Sequence, residues 1–234
     1  FNIIIMELSI IIFCYNEEKN IHQVIQKAID FLSQKRYSNS EIIIINDGST
    51  DETASIIDSY KNSFIQTQHV YPNQGIGNAL NTGYNLATKE YVCAIPGDGQ
   101  FDIFEINHAP DFDNKHFVAF NRIQKNYGFY RSALTHFNQY FNQWILKIDI
   151  QDVNWIKIYK KEQIQAKYRT LNSSLVETEI CAKLLKSGIR HIDLSSEYLE
   201  RKFGDAKGGN WRTLKKAIAE IFQLYIAVKK FPPT

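Results

Sequence analysis

Three short apolar runs in the first hundred residues constrain the fold of this chain more than any other feature. They occupy residues 9–13, 41–45 and 91–95, and each has the length of a strand. Runs that are apolar almost without interruption are typical of strands whose two faces are both buried, as in parallel sheets. The three runs therefore predict three buried strands.

Helical patterns separate these runs. Apolar residues recur at helical spacing in three segments, at residues 21–32, 54–60 and 80–87. Ser49 and Glu52 have the spacing of a capping box ahead of the second helix, and a Gly-rich turn at 73–77 precedes the third. The alternation of strands and helices predicts an α/β fold, with a mostly parallel central sheet and helices on both faces.

The second half of the chain is less regular. Its patterns predict strands at 118–120, 153–159 and 189–198, and helices at 129–148, 176–186 and 211–230. The helix at 129–148 is rich in aromatic residues, which fits core packing and also fits contact with a lipid surface. No internal repeat or low-complexity segment interrupts the chain, so one domain over residues 1–234 is predicted.

Polar clusters follow the three apolar runs, at residues 15–18, 46–49 and 97–100. In open α/β sheets, ligands bind outside the carboxyl ends of the strands. Each cluster alone also fits ordinary turns and helix caps, because Asp, Asn and Gly are common there. Together the clusters predict a site that holds phosphates through a divalent cation, and a ribose or base through carboxylates.

The cluster after the third run is the most specific of them. Asp98, Gln100 and Asp102 are spaced two apart, so an extended backbone would point all three side chains to one side. Oxygen ligands of this kind suit Mg²⁺ or Mn²⁺, which would also bridge a diphosphate. The alternative is an acidic surface loop.

Several stretches resemble family 2 glycosyltransferases of the GT-A (nucleotide-diphospho-sugar transferase) fold. In the first half they are SIIIFCYNEEKNI, EIIIINDGSTDET, NQGIGNALNTGYNLAT and YVCAIPGDGQFD. The second half is similar to bacterial relatives of dolichyl-phosphate mannose synthases, through DVNWIKIYKKEQI, VETEICAKLLKSGIRHIDL and ERKFGDAKGG. The resemblance implies a nucleotide-sugar-binding half at residues 9–102 and an acceptor-side half at 103–234.

The resemblance also implies roles for residues that would bind the donor nucleotide. Tyr15 and Glu17 would lie beside the nucleoside, and Asp47 would contact the base or ribose. Gly75 and Gly77 would shape the loop next to the base.

Further roles implied by the resemblance concern the metal and the chemistry. Asp98 would be a metal ligand with Gln100 nearby, and Asp152 would be an acidic residue near the acceptor and a candidate base. Four basic side chains would hold phosphates, the last of them in a loop that closes on the diphosphate: Arg122, Arg131, Arg201 and Lys207. Asp152, Asp98, Arg122 and Arg131 are the expected catalytic residues.

Two positions depart from the family pattern. Pro96 occupies the first acidic position of the usual Asp-x-Asp, and Asn46 replaces the first of two usual aspartates. The metal site is then either weaker or completed by Asp102. A nucleotide-sugar-binding protein without activity is the alternative that these departures leave open.

The expected reaction is transfer of a sugar from a nucleotide-diphosphate sugar to a polyprenyl phosphate, with inversion and with Mg²⁺ or Mn²⁺. The alternative acceptor is a hydroxyl of a saccharide or glycoconjugate in polysaccharide biosynthesis, and that reaction would depend on Asp152. A nucleotidyltransferase is disfavoured, because the first strand is not followed by a Gly-rich loop that contains a lysine.

Composition limits the expected partners. The formal net charge is +2 and there is no run of Lys and Arg, so no nucleic acid is expected as a partner. No apolar stretch reaches the length of about 18 residues that a membrane span needs. Three cysteines within apolar runs predict reduced thiols and a cytoplasmic protein. A lipid-linked acceptor would bring it to the inner face of the membrane as a peripheral protein, and a homo-oligomer stays open.

Overall fold

The computed structural model describes residues 5–123, 143, 146–200 and 211–232, without the side chains of 211–218. Three predicted site residues lie outside the described residues, namely Arg131, Arg201 and Lys207. The predicted aromatic helix at 129–148 also lies largely outside them.

The described strands form one sheet of seven, to which both halves of the chain contribute. They are β1 (Leu8–Cys14), β2 (Glu41–Asn46), β3 (Ile65–His69), β4 (Tyr91–Pro96), β5 (His116–Arg122), β6 (Lys157–Lys160) and β7 (Arg190–Ser196). Their order in the sheet is β3-β2-β1-β4-β6-β5-β7. β6 runs antiparallel to both of its neighbours, and the other pairs are parallel. The mostly parallel sheet predicted from the sequence is confirmed.

Helices cover both faces of this sheet. They are α1 (Ile21–Leu32), α2 (Thr53–Asp58), α3 (Ile76–Leu86), α4 (Val176–Lys186) and α5 (Trp211–Lys230). Ile10 and Ile12 of β1 pack into the core cluster on the α1 face, whereas Ile11 packs into the cluster shared with α3 and α4. Because successive strand residues point to opposite faces, burial of both faces requires the near-continuous apolar run of β1. Within the described part of the chain, no helix is long and apolar enough to span a membrane.

Three local features differ from the sequence-based expectations. The strand predicted at 153–159 begins only at Lys157, because residues 151–154 form a turn. The edge strand β3 was not predicted, because its exposed glutamines, Gln66 and Gln68, leave little apolar signal. The predicted capping box is wrong: α2 follows Glu52 without a side-chain cap. Ser49 instead accepts a hydrogen bond from the backbone N–H of Asn16, at 2.9 Å.

Candidate active site

Five of the predicted site residues line one cleft at the carboxyl ends of β1, β2 and β4. These three strands are parallel neighbours, so the loops that follow them lie at the same edge of the sheet. The cleft, called here the strand-end cleft, has a volume of about 320 Å³. Its lining includes Tyr15, Glu17, Asp47, Gly75 and Asp98. The structure thus brings together residues that are up to 83 positions apart in the sequence, from Tyr15 to Asp98.

Asp47 anchors the loop that forms one wall of the strand-end cleft. Its buried carboxylate accepts hydrogen bonds from the backbone N–H groups of Gln74, at 2.9 Å, and Gly75, at 2.7 Å. Gly48 has a φ of +74°, and a Cβ there would lie 2.5 Å from the backbone nitrogen of Asn73, so this turn requires glycine. Asp47 holds the loop, while its remaining lone pairs can accept from a ligand.

The loop after β1 is tied to the loop after β2. The backbone N–H of Glu17 donates to the Thr53 hydroxyl at 2.8 Å. Asn16, at a φ of +54°, accepts from the backbone N–H of Thr50 through its side chain, at 2.8 Å. The Glu17 carboxylate accepts from the Asn20 amide at 2.8 Å. These bonds hold the wall that contains Tyr15 and Glu17 in place before a ligand binds.

Gly77 lies outside the lining of the strand-end cleft, and its surroundings differ from the predicted role beside a base. A Cβ at Gly77 would overlap the backbone of Ser173. On the same helix, the amide of Asn81 donates to the carbonyl of Leu171 at 2.8 Å. Gly77 therefore allows α3 to pack closely against the loop that precedes α4.

The turn after β4 separates the three side chains that were expected to point to one side. Gly99 has a φ of +75°, so the backbone turns instead of staying extended. The side-chain amide of Gln100 donates to the hydroxyl of Tyr198. Asp102 caps the short helical turn that follows, and lies 3.8 Å from the Lys27 ammonium. Asp98 alone of the three acceptors lines the strand-end cleft, so the predicted alignment is wrong.

The donor atoms at the strand-end cleft fit a divalent cation that is shared with a substrate. Among the described residues, no three His, Cys, Asp or Glu side chains converge as a ligand group. Mg²⁺ in diphosphate sites is commonly bound by one or two carboxylates, with phosphate oxygens and water completing the octahedron. Asp98 suits that role, whereas Gln100 is directed to Tyr198.

A second pocket adjoins the strand-end cleft. This Trp155 pocket has a volume of about 390 Å³ and is lined by Tyr84, Arg122, Trp155 and Glu177, among others. The two cavities share four lining residues, namely Phe13, Ile76, Pro96 and Asp98. The two cavities therefore adjoin, and Asp98 lies at their junction.

Asp152, the predicted base, lies in an ion pair with Arg122. The Arg122 Nε lies 2.6 Å from Asp152 Oδ2, and Nη2 lies 3.0 Å from Oδ1; the two side chains are 15% and 6% exposed. Asp152 lines neither the strand-end cleft nor the Trp155 pocket. Because the partner at both carboxylate oxygens is a cationic guanidinium, which favours the ionised carboxylate, this geometry does not favour proton abstraction by Asp152.

Arg122 was predicted to hold phosphate, and it does line the Trp155 pocket. Its guanidinium carbon lies 4.6 Å from the ring centre of Trp155 and 5.3 Å from that of Tyr198. With Asp152 as a bidentate partner, Arg122 is fixed in position and largely neutralised.

Glu177 was missed from the sequence. It lies in the first turn of α4, lines the Trp155 pocket, and accepts hydrogen bonds from the hydroxyls of Tyr159, at 2.8 Å, and Tyr84. Burial raises the pKa of both tyrosines well above the ordinary phenol value, so both hydroxyls stay protonated donors. Glu179, two positions on, is instead fully buried and paired with Lys183 at 2.5 Å. Because Glu177 and Glu179 lie in the same turn of α4, the rotation of the helix about its axis determines which of them faces the pocket.

Residues 9–174 match the family model of glycosyl transferase family 2. The chain belongs to that family. Poly-beta-1,6-N-acetyl-D-glucosamine synthase of Staphylococcus epidermidis is 38% identical over 96 residues, which cover 41% of this chain and 22% of that protein. Dolichyl-phosphate beta-glucosyltransferase of Dictyostelium discoideum is 32% identical over 116 residues, 46% of this chain and 36% of that protein. The matches thus span about a fifth of the first relative and little more than a third of the second.

Solved structures share the fold of this family 2 chain at low sequence identity. Glucosyl-3-phosphoglycerate synthase of Mycobacterium tuberculosis, in complex with Mn²⁺, UDP-glucose and phosphoglyceric acid, superposes with a TM-score of 0.65 at 15% identity. That superposition covers 98% of this chain and 81% of the synthase. Mannosyl-3-phosphoglycerate synthase of Rubrobacter xylanophilus gives 0.62 at 14% identity, over 96% and 74% of the two chains. The GT-A fold predicted from the sequence is confirmed.

Proposed function

We propose that this chain contains the catalytic site of a hexosyltransferase that takes a sugar from a nucleotide-diphosphate sugar with inversion. The observation that carries this proposal is the position of Asp98, which lines both the strand-end cleft and the Trp155 pocket. Two substrates that react must meet with their reacting atoms about 3 to 3.5 Å apart, and the junction at Asp98 offers that place. The mycobacterial neighbour, solved with Mn²⁺ and UDP-glucose, supports this class of donor.

The strand-end cleft is the proposed donor site. The carboxylates of Asp47 and Glu17 accept hydrogen bonds from ribose hydroxyls or from a base N–H, and Tyr15 and Gly75 border the nucleoside. Asp98 holds Mg²⁺ or Mn²⁺. When bound, that cation neutralises charge on the leaving diphosphate. The proposed roles of Arg131, Arg201 and Lys207 in holding phosphates stay predictions.

The Trp155 pocket is the proposed acceptor site, and two acceptor classes have support. Similarity to the dolichyl-phosphate glucosyltransferase supports a polyprenyl phosphate, which is already an anion and needs no base. Glu177 favours the second class, a saccharide hydroxyl, because its carboxylate in this pocket can take the hydroxyl proton. Similarity to the poly-N-acetylglucosamine synthase supports that class as well.

A polyprenyl phosphate acceptor would bring the protein to the cytoplasmic face of a membrane as a peripheral protein. The exposed rings of Phe222 and Tyr225 on α5, with Lys229 and Lys230 in its last turn, support such a contact. Flotation with anionic vesicles tests it, and loss of flotation in a Phe222→Ser/Tyr225→Ser variant is expected. Self-association stays a prediction for sedimentation to check.

Thermal unfolding with nucleoside diphosphates tests the proposed donor site. Binding to the folded state raises the melting temperature, so UDP, GDP, CDP and dTDP are compared with and without Mn²⁺. We expect one diphosphate to raise it only when Mn²⁺ is present, and we expect Asp98→Asn to remove that increase. No increase with any of the four at millimolar concentration would contradict the proposed function.

A further inference from the structure

Tyr198 connects two parts of the active site that lie far apart in the sequence. Its hydroxyl accepts a hydrogen bond from the side-chain amide of Gln100, in the turn that contains Asp98. Its ring packs edge-on against Trp155, with ring centres 5.6 Å apart, and lies 5.3 Å from the guanidinium carbon of Arg122. Tyr198 thus contacts both the turn after β4 and the Arg122 side of the Trp155 pocket.

Gln100 is held at both ends by consecutive residues that follow β7. Tyr198 accepts from its side chain, and the backbone N–H of Leu199 donates to its carbonyl at 3.1 Å. The backbone N–H of Gln100 in turn donates to Oδ1 of Asp98 at 3.1 Å. Glycines flank Asp98 on both sides, and such a turn has many accessible conformations. The hydrogen bond from Gln100 therefore contributes to the orientation of the Asp98 carboxylate.

The ring of Tyr198 packs against Arg122 and Trp155, and hydrogen bonds hold both of these side chains. Arg122 lies against both Tyr198 and Trp155, and Asp152 holds its guanidinium by two hydrogen bonds. The indole N–H of Trp155 donates to the Ser196 hydroxyl at 3.0 Å, at the end of β7. The Tyr198 hydroxyl is consequently held in place, and its hydrogen bond with Gln100 fixes the glycine-rich turn after β4.

We propose that Tyr198 is a positioning residue for the divalent cation. The inference rests on the proposed function, in which Asp98 holds that cation. The Tyr198 hydroxyl fixes Gln100, and the N–H of Gln100 fixes the carboxylate that meets the metal. Partners that orient a metal ligand commonly change metal affinity by 10- to 100-fold when they are removed. The ion pair of Arg122 and Asp152 then acts on the Asp98 carboxylate indirectly, because Arg122 lies against the ring of Tyr198.

Tyr198→Phe tests this inference, because it removes the hydroxyl and keeps the ring. The measurement is a titration of Mn²⁺, followed by the electron paramagnetic resonance signal of the free ion, with the diphosphate that the thermal screen selects. We expect roughly tenfold weaker Mn²⁺ binding. Diphosphate binding at saturating Mn²⁺ and the melting temperature without ligand should stay close to wild type. Gln100→Leu should show the same loss, and the double variant little more, because both changes break one connection.

Tyr91→Phe is the matched control. Tyr91 begins β4, so it lies at the end of the strand away from Asp98. Its hydroxyl donates to Asp111 at 2.5 Å. We expect Mn²⁺ affinity to be unchanged in this variant. If Asp98→Asn abolishes Mn²⁺ binding while Tyr198→Phe binds like wild type, the positioning role is wrong and the proposed function stands. A general loss of stability and nucleotide binding in Tyr198→Phe would also overturn it. Failure of the wild-type chain to bind Mn²⁺ with any diphosphate would instead count against the proposed function.

Discussion

Asp47 and Asp98 in the strand-end cleft are held by a different kind of partner from Asp152 and Glu177 on the side of the Trp155 pocket. Backbone N–H groups donate to the first two: Asp47 accepts from Gln74 and Gly75, and Asp98 accepts from Gln100. On the other side the partners are side chains: Asp152 accepts from Arg122, and Glu177 accepts from Tyr84 and Tyr159. Tyr84 and Glu177 are 93 positions apart.

The kind of partner determines how well each pair of carboxylates tolerates substitutions nearby. Every residue except proline supplies a backbone N–H, so the carboxylates of Asp47 and Asp98 keep their partners through most substitutions nearby. Asp152 and Glu177 keep theirs only while particular side chains remain at distant positions. We therefore expect substitutions on the acceptor side to have larger and more specific effects.

Glu177→Gln should give the largest effect. A glutamine keeps the shape and can still hydrogen-bond with Tyr84 and Tyr159, but it cannot take a proton. If the acceptor is a saccharide hydroxyl, we expect transfer to fall by roughly 10²- to 10⁴-fold, with little change in melting temperature. Turnover with an oligosaccharide acceptor and the donor that the thermal screen selects measures this.

The same variant separates the two acceptor classes. With a polyprenyl phosphate as acceptor, Glu177→Gln should transfer sugar at close to the wild-type rate, since that anion needs no base. Glu162→Gln is the control and should behave like wild type: its position is exposed and follows the end of β6 that pairs with Tyr91, at the start of β4. Normal transfer to a saccharide hydroxyl by Glu177→Gln would contradict the role of Glu177 as base.

Asp152→Asn should chiefly affect stability. It removes the carboxylate charge that pairs with the guanidinium of Arg122, which is 15% exposed. Removing one member of a buried pair costs about 3 kcal/mol, and the free energy of unfolding in denaturant should fall by that amount. A variant with near-normal stability and a selective loss of transfer would instead identify Asp152 as the base and would contradict the structural role of its pair with Arg122.

Asp47→Asn should have a moderate effect on the strand-end cleft. The amide presents one oxygen in place of two, so one of the N–H groups of Gln74 and Gly75 loses its acceptor. The cost is about 1 to 3 kcal/mol in unfolding free energy, with weaker diphosphate binding. Asp30→Asn, on the exposed face of α1, is the control. Unchanged stability and unchanged binding would show that the loop at Gln74 and Gly75 keeps its conformation without the Asp47 carboxylate.

The contrast between the two sides also explains how much could be predicted from sequence. The apolar runs of β1, β2 and β4 predict three parallel strands, and parallel neighbours bring the loops after them to one edge. The residues of the strand-end cleft follow from that geometry and from local motifs. The position of Glu177 does not follow from strand geometry or a local motif, because it depends on the register of α4 and on two distant tyrosines. The separation of Asp98 from Gln100 depends on the turn at Gly99, which spacing alone does not describe.

Pro96→Asp should give the smallest effect, and it tests the strand-end cleft by adding a carboxylate. Pro96 ends β4 and lines both cavities beside Asp98, so an aspartate there would offer the cation a second charged ligand. More ligand charge strengthens divalent binding, and we expect roughly threefold to tenfold tighter Mn²⁺ binding in the presence of the diphosphate. We expect this gain to stay below the loss caused by Asp98→Asn. Unchanged Mn²⁺ affinity would indicate that the cation does not bind at this end of β4. Turnover by the parent chain with Pro96 in place would exclude the alternative of a binding protein without activity.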